Sequence, residues 1–348
     1  MLTIVGLFII LVAVLALPFL VKWVEENLEI FLFVMGTLAV TVTAQWSLPL
    51  VEEGLLEPIK ISAAVLVAGF LFLVARSGIN RLVNRMSILM GVRLFTFLVI
   101  FVLGILSSAF TAIIAALLLV EIVSHLSLDR KSEIRLVVIA CFAIGIGAAL
   151  TPIGEPLSTI AIAKLRGEPY HAGFWFLFKA LGAYIVPGVF VFALIGSFLV
   201  AKGGRDEERL HEDRQEGLRD VLIRTGKTYL FVMALVFLGT GFKPIIDEYV
   251  SKIPSAGLYW INMISAILDN ATLTAAEVGP SMSLHQISSA ILGLIVAGGM
   301  LIPGNIPNII SAGKLKIKSG EWAAIGLPFG LAAMAVYFVA ILAIEKGA

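Results

Sequence analysis

The sequence predicts an all-α integral membrane protein with about eight full spans, two re-entrant hairpins and two broken helices, arranged as an inverted repeat. Three observations support this fold class. Of 348 residues, 59% are hydrophobic and only 14% are charged, whereas soluble domains carry about 25% charged residues. Lys and Arg are concentrated in a few loops, and two Pro-containing segments in different halves of the chain resemble each other.

Composition also limits the partners and the chemistry. A net charge of +1 argues against nucleic acid, which needs a basic face on its partner. The single cysteine, Cys141, lies in an apolar stretch and cannot form a disulfide within the chain. The four His are scattered without zinc-ligand spacing, and no enzyme or nucleotide-binding motif is present. We therefore expect no enzymatic activity and no cofactor.

The apolar segments divide the chain into scaffold spans and two repeats. The predicted parts are scaffold spans at 1–93; a first repeat at 94–201 with a hairpin at 94–126, a broken helix at 134–165 and a span at 172–201; a cytoplasmic linker at 202–225; a scaffold span and an external loop at 226–256; and a second repeat at 257–348 with a hairpin at 257–283, a broken helix at 286–313 and a span at 321–343. The first apolar run is followed, not preceded, by a positive residue, Lys22, so we expect a retained span and not a signal peptide.

The two hairpin predictions depend on length and polarity. The stretch 94–126 is too long for one span, which needs about 20 apolar residues. The stretch 257–283 carries Asp269 and Asn270 at its middle. Non-helical backbone is tolerated in a membrane only where it is buried in protein or lines a cavity. Both stretches are therefore predicted to enter the membrane and leave it by the same face.

The positions of Lys and Arg predict the orientation. If 94–126 is a hairpin, the Arg-rich loop 76–93, the next basic loop, the linker and the loop containing Lys314 all lie on one side. On this topology 18 of the 25 Lys and Arg lie inside, as the positive-inside rule expects. We therefore predict a multi-pass protein of the cell membrane, surrounded by lipid, with both termini outside.

Matched motifs predict the repeat. GAALTPIGEPLSTIAIAKL at 147–165 and GGMLIPGNIPNIISAGKL at 298–315 both contain two small residues, Pro-x-x-x-Pro and a Lys-Leu pair. Upstream, SSAFTAIIAALLLVE at 107–121 resembles SAILDNATLTAAE at 265–277. The order of hairpin and broken helix thus occurs twice, and the topology makes the second copy inverted. Ordinary Pro kinks are the alternative interpretation, but an inverted repeat with discontinuous helices is typical of the binding site of a secondary transporter.

The residues in the breaks suggest ion chemistry. Two Pro spaced by four residues should unwind a helical turn, so that freed carbonyls can bind Na⁺ while the next half-helix offers N–H groups to an anion. The candidate cation- or proton-binding residues lie in the unwound turns or at the hairpin tips: Thr151, Glu155, Asn305, Ser108, Thr111, Asp269 and Asn270. We predict Na⁺ near Asp269, Asn270 and Asn305, and near Glu155, Thr151 and Thr111. Possible substrate-facing residues are Ser158, Thr159, Asn308 and Lys179.

Three functions remain open on these residues. A buried carboxylate such as Glu155 or Asp269 can hold either Na⁺ or a proton, which favours a sodium (cation)/proton antiporter driven by gradients. The half-helix N-termini and nearby hydroxyls are compatible with a sodium-coupled symporter of a small organic or inorganic anion. The third possibility is a membrane protein that transports nothing, such as a receptor.

The motifs TPIGEP (151–156), SAILDNATLTAA (265–276) and IPGNIPN (302–308) resemble those of the ion-transporter superfamily, in particular a cation-transporter branch similar to NhaD-type sodium/proton antiporters. The resemblance implies an all-helical, often dimeric protein whose hairpin-bearing domain moves like an elevator against a scaffold. It also implies Na⁺, as transported or coupling ion, between each hairpin tip and the adjacent broken helix, and a homodimer. The Ser-Asn-Thr tips of the superfamily's symporters are absent, and Phe110 stands where the second half has Asp269.

Overall fold

The structure is a computed structural model that describes residues 2–126, 128–199, 218–249, 255–268 and 270–347. These residues form α-helices and two 3₁₀ turns. The helices are α1 (Leu2–Leu20), α2 (Lys22–Glu26), α3 (Leu28–Val42), α4 (Leu48–Phe110), α5 (Ala112–Ser124), α6 (Arg130–Ala148), α7 (Pro156–Lys164), α8 (Phe176–Leu199), α9 (Leu218–Tyr249), α10 (Ser255–Ile261), α11 (Asn270–Glu277), α12 (Leu284–Gly298), α13 (Ile306–Leu315) and α14 (Ser319–Gly347). The 3₁₀ turns are Asn262–Ala266 and Ile302–Gly304.

Several helices have the length and composition of membrane spans. Within the described ranges four qualify by both criteria, in α4, α8, α9 and α14, and shorter apolar helices lie in α1, α3, α5 and α12. Large apolar side chains face outward, for example Leu20 (76% exposed) and Phe198 (68% exposed), as a lipid environment allows. The chain is a helical multi-pass membrane protein. The number of eight spans and the inverted repeat stay predictions, because a helix divided by a break is too short to qualify alone.

Two stretches that were predicted to lie between membrane spans are helical in the structure. The loop expected at 76–93 is helical, since α4 continues through it and changes direction only at Gly91. Gly91 has φ +74° and ψ 153°, a conformation that glycine adopts without strain. The end of the expected linker, 218–225, belongs to α9, and 202–217 lie outside the described residues. In both places a membrane helix extends past its apolar segment, which hydropathy alone does not show.

One bundle is formed by α3, the N-terminal part of α4 and α9. Small residues allow close contact there, since a Cβ atom at Gly36 on α3 would lie 2.9 Å from the carbonyl oxygen of Ala234 on α9. At the edge, Lys227 pairs with Glu29 at 2.7 Å. We call this unit the α3–α4–α9 bundle, and it contains much of the predicted scaffold.

The rest of the molecule is built around α6 and α12, which are buried over most of their lengths. The C-terminal part of α4 crosses α6 so closely that a Cβ atom at Gly147 would lie 1.8 Å from the carbonyl oxygen of Gly104. Phe142 on α6 packs edge-on against Phe192 and Phe329. The first arms of the two predicted broken helices are therefore the core of this unit.

At one end of the molecule, ion pairs join helix ends from the two halves. Arg130 at the start of α6 donates to both carboxylate oxygens of Glu321 near the start of α14, at 2.9 and 2.6 Å. Lys314 near the end of α13 pairs with Glu121 near the end of α5, at 3.0 Å. The ends of α5 and α13 and the starts of α6 and α14 therefore lie together.

The opposite end is defined by one hydrogen bond between loops. Tyr170, in the loop after α7, donates its hydroxyl proton to the carbonyl oxygen of Met282, in the loop before α12. The chain segment from α6 to α7 thus runs from the first end to the second, whereas the segment from α12 to α13 runs the opposite way.

Candidate functional site

The first predicted hairpin turns at Thr111, between α4 and α5. Thr111 has φ +99° and ψ 145°, a combination that β-branched residues rarely adopt. Its hydroxyl oxygen accepts a hydrogen bond from the backbone N–H of Ile114 at 3.3 Å and so caps α5. The tip is therefore held in a strained backbone conformation that its own side chain helps to stabilise.

The tip of this hairpin binds the unwound turn of its own half. The backbone N–H of Ala112 donates to the carbonyl oxygen of Gly154 at 2.9 Å. In the reverse direction, the Thr151 hydroxyl donates to the carbonyl oxygen of Ser108 at 2.5 Å. We call this contact between residues 107–112 and 149–155 the first junction.

Glu155 lies at the end of that unwound turn. Its backbone is extended, with φ −154° and ψ 160°, and Pro156 follows it as the first residue of α7. The side chain is only 7% exposed. Before it, a Cβ atom at Gly154 would lie 1.9 Å from the carbonyl oxygen of Ala148, so the turn requires glycine there. The sequence thus buries one carboxylate at the N-terminal end of a half-helix.

The second half has an equivalent junction. The 3₁₀ turn Ile302–Gly304 presses against the second hairpin, since a Cβ atom at Gly304 would lie 2.8 Å from the carbonyl oxygen of Ser265 and 2.5 Å from that of Gly298. The Asn270 side chain also lies against Gly298. The side-chain amide oxygen of Asn270 accepts a hydrogen bond from the Ser265 hydroxyl. We call this contact of residues 265–268 and Asn270 with residues 298–305 the second junction.

Asn305 takes the backbone position of Glu155 in the second half. It has φ −154° and ψ 146° and precedes α13, which has Pro307 in its first turn. Its side chain is buried but turned toward the first half, because a Cβ atom at Gly145 on α6 would lie 2.6 Å from its amide nitrogen. That nitrogen has no hydrogen-bond partner within the part of the chain that the structure describes.

Carbonyls that were predicted to be free as Na⁺ ligands accept hydrogen bonds in this structure. The buried Asn308 donates to the carbonyl oxygens of Gly298 and Leu301, at 2.9 and 2.8 Å. The buried Ser158 donates to Ala149 at 3.1 Å. Each carbonyl oxygen keeps a second lone pair for a ligand. These hydrogen bonds therefore stabilise the unwound turns and still leave the carbonyl oxygens able to bind a cation.

The other predicted residues differ in their placement. Thr159 is exposed and donates to the carbonyl oxygen of Pro152 at 2.6 Å. Lys179 is exposed on α8. Ser108 donates its hydroxyl proton to the carbonyl oxygen of Ile105 within α4. Asp269 lies outside the described residues. The structure thus brings Ser108, Thr111, Thr151 and Glu155 to the first junction and Asn270 to the second, whereas the Asn305 side chain faces α6.

Comparison with known families covers almost the whole chain. Residues 4–344 match the family described as a protein of unknown function (DUF1646). The chain belongs to this family. A search of curated proteins gave no match. The DUF1646 match includes both junctions, so they are parts of one family domain.

Beyond the tips, the second arm of each hairpin in the DUF1646 chain packs against the half-helix of the other half. The second arm of the first hairpin, α5, packs against α13, and the corresponding arm of the second hairpin, α11, packs against α7. The buried ion pair of Glu121 and Lys314 joins α5 to α13. This pair was missed among the candidate residues, although the matched positions of Glu121 and Glu277 were a signal in the sequence.

The side chains of the described ranges do not form a cluster of three or more His, Cys, Asp or Glu that could hold a metal ion. Ligands at the junctions would have to be single carboxylates with amide, hydroxyl and carbonyl oxygens. Such a set suits a hard cation of low charge.

Proposed function

We propose that this protein is a secondary active transporter, a sodium (cation)/proton antiporter that works by an elevator-type movement. The observation that carries the proposal is the buried Glu155 carboxylate where the first hairpin tip meets an unwound turn. Burying a carboxylate at mid-membrane costs about 2.5–3.5 kcal/mol on insertion scales. It is retained in transport proteins because it can take a cation or a proton.

The direction of the helices supports an inverted repeat. The segment from α6 to α7 and the segment from α12 to α13 run in opposite directions between the same two ends of the molecule. Each contains a break with an extended residue followed by Pro in the next turn. Transporters with inverted repeats bind their substrates at such breaks.

The packing also supports an elevator. In this proposal the α3–α4–α9 bundle is the scaffold, and the unit around α6 and α12 carries both junctions across the membrane. The two parts share α4, whose kink at Gly91 offers a place for relative movement. A homodimer in the cell membrane with both termini outside, in contact with lipid, Na⁺ and protons, belongs to the same proposal.

Proteoliposomes that contain a pH-sensitive dye test the activity. Adding Na⁺ outside is expected to raise the internal pH, because each Na⁺ that enters is exchanged for protons. Glu155→Gln should abolish the response, since an amide cannot be charged, while Glu168→Gln serves as a control because Glu168 is exposed and pairs with the exposed His171. A wild-type protein that moves no protons after Na⁺ addition, at any pH from mildly acidic to mildly alkaline, would contradict antiport.

A sodium-coupled anion symporter is the second candidate, and one observation favours it. The amide nitrogen of Asn305 is a buried donor at the start of α13 without a hydrogen-bond partner in the described ranges. A donor at a half-helix N-terminus suits an anion. Na⁺-dependent uptake of a labelled dicarboxylate or oxyanion, without proton movement, would decide for this function.

A further inference from the structure

The second hairpin carries a polar stripe that extends away from its tip. Asn270, Thr274 and Glu277 are spaced by four and three residues on α11, so they lie on one face of the helix. All three are buried, Thr274 completely and Glu277 to within 8%. The stripe begins at the second junction and ends seven residues later, about 10 Å along the helix at 1.5 Å per residue.

The far end of the stripe holds oxygen atoms without hydrogen bonds. Both carboxylate oxygens of Glu277 and the hydroxyl of Thr274 are buried and have no hydrogen-bond partner in the part of the chain that the structure describes. A threonine inside a helix ordinarily donates to the carbonyl four residues earlier, so the Thr274 hydroxyl is available for another group. Buried polar groups in this state are rare in folded proteins because they lose hydration without compensation.

Asn262 adds a further oxygen from a different element. This residue, the first of the 3₁₀ turn before the hairpin tip, is completely buried, and its side chain lies beside the Glu277 carboxylate. Its amide nitrogen donates to the carbonyl oxygen of Ala290 on α12 at 3.1 Å, which fixes the orientation of the amide. Its amide oxygen has no partner in the described ranges. Three side chains thus bring four oxygen atoms without hydrogen bonds into one buried region.

The charge of the set indicates the class of ligand. Hard cations prefer oxygen ligands, and divalent ions are held by several carboxylates. Here one carboxylate is combined with one amide oxygen and one hydroxyl oxygen, which suits a monovalent cation. Sulfur and imidazole ligands do not contribute to this set.

In the first half, the matched buried glutamate of the hairpin has a structural role. Glu121 occupies the position matched with Glu277 and is paired with Lys314 at 3.0 Å. The residues seven and three positions before Glu121 are Ile114 and Leu118, so α5 has no polar stripe. The residue matched with Lys314 is Lys164, which is exposed and makes no hydrogen bond to either carboxylate oxygen of Glu277.

We infer that Glu277, Thr274 and Asn262 form a further Na⁺ site, separate from the two junctions and connected to the second junction along α11. The inference rests on the proposed cation transport. It adds a cation-binding residue, Glu277, on the hairpin arm that packs against both α7 and the scaffold helix α9.

Binding of radiolabelled Na⁺ to the purified full-length protein in detergent tests the site, with choline keeping the ionic strength constant. Glu277→Gln is expected to bind one Na⁺ fewer per chain than the wild type. Thr274→Val removes a ligand without changing charge and should weaken binding at this site by roughly tenfold or more, whereas Thr274→Ser keeps the hydroxyl and should restore it. Glu155→Gln should retain the Glu277 site.

The outcomes separate this inference from the proposed function. A wild-type protein that binds no Na⁺ would overturn both. A wild-type protein that binds Na⁺, together with Glu277→Gln binding the same number of ions at the same affinity, would overturn the Glu277 site alone. If Glu277→Gln does not fold, the Thr274 variants decide, because equal affinity in Thr274→Val and the wild type contradicts the site.

Discussion

The two junctions have nearly the same backbone and different chemistry. Glu155 and Asn305 share φ −154°, differ by only 14° in ψ, and both precede a half-helix with Pro in its first turn. One side chain is a carboxylate and the other an amide that turns toward α6. The Pro motif and the preceding glycines therefore specify the break, whereas single residues specify what the break can bind.

The halves also differ in how tightly their hairpins are packed. In the first half the hairpin backbone itself touches α6, at Gly104 and Gly147. In the second half a Cβ atom at the corresponding Gly298 would lie 2.8 Å from the Asn270 side chain and 2.9 Å from the Gly304 carbonyl oxygen. There is more room at Gly298 than at Gly147, where a Cβ atom would lie 1.8 Å from backbone, so Gly298 should tolerate an added methyl group better.

Glycine substitutions test this difference and should give the largest effect. A Cβ atom at Gly147 would lie 1.8 Å from backbone, so Gly147→Ala is expected to prevent folding. At Gly298 the nearest atoms are the Asn270 amide nitrogen at 2.8 Å and a carbonyl oxygen at 2.9 Å, and overpacking of this kind costs about 1–3 kcal/mol. The yield of monodisperse protein and the thermal unfolding midpoint measure both. Gly313→Ala is the control, because nothing lies within 4 Å of that position, and a greater loss in Gly298→Ala than in Gly147→Ala would contradict the comparison.

The two hairpin glutamates give the next largest expected effect. Glu121→Gln leaves the buried Lys314 ammonium without its carboxylate, and breaking a buried pair costs about 3–5 kcal/mol. Adding Lys314→Met to this variant should recover most of the loss. In Na⁺-free buffer Glu277→Gln should not destabilise, because it replaces a buried carboxyl group whose oxygens have no hydrogen-bond partner in the described ranges. Thermal unfolding measures all three variants, and equal losses in Glu121→Gln and Glu277→Gln would show that the two glutamates have the same role.

The sequence was sufficient for the breaks and insufficient for the contacts across the halves. Pro-x-x-x-Pro predicts an unwound turn because two missing donors and two ring clashes act locally. The direction of the Asn305 side chain depends on where α6 lies, and the pairing of Glu121 with Lys314 depends on α5 packing against α13. Neither is a local property. The helical structure of 76–93 was not predicted either, because hydropathy locates apolar segments and does not show where a helix ends.

The side chains that hold the breaks give the smallest expected effect and test whether the second break needs more support. Asn308 donates to two carbonyl oxygens of its break, whereas Ser158 donates to one. Both side chains are completely buried. A typical hydrogen bond contributes about 0.5–1.5 kcal/mol, so Asn308→Ala, which loses two bonds, should cost about 1–3 kcal/mol and Ser158→Ala, which loses one, about 0.5–1.5 kcal/mol. Thr159→Ala is the control, because its bond to Pro152 is exposed. Chemical denaturation in detergent measures the unfolding free energy of the three variants. A larger loss in Ser158→Ala than in Asn308→Ala would mean that the first break depends on the Ser158 side chain more than the hairpin-tip contacts suggest.

The predicted order follows from the junctions themselves. The first break is already fixed by the backbone hydrogen bond between Ala112 and Gly154, so the side-chain hydrogen bond there should contribute less to stability.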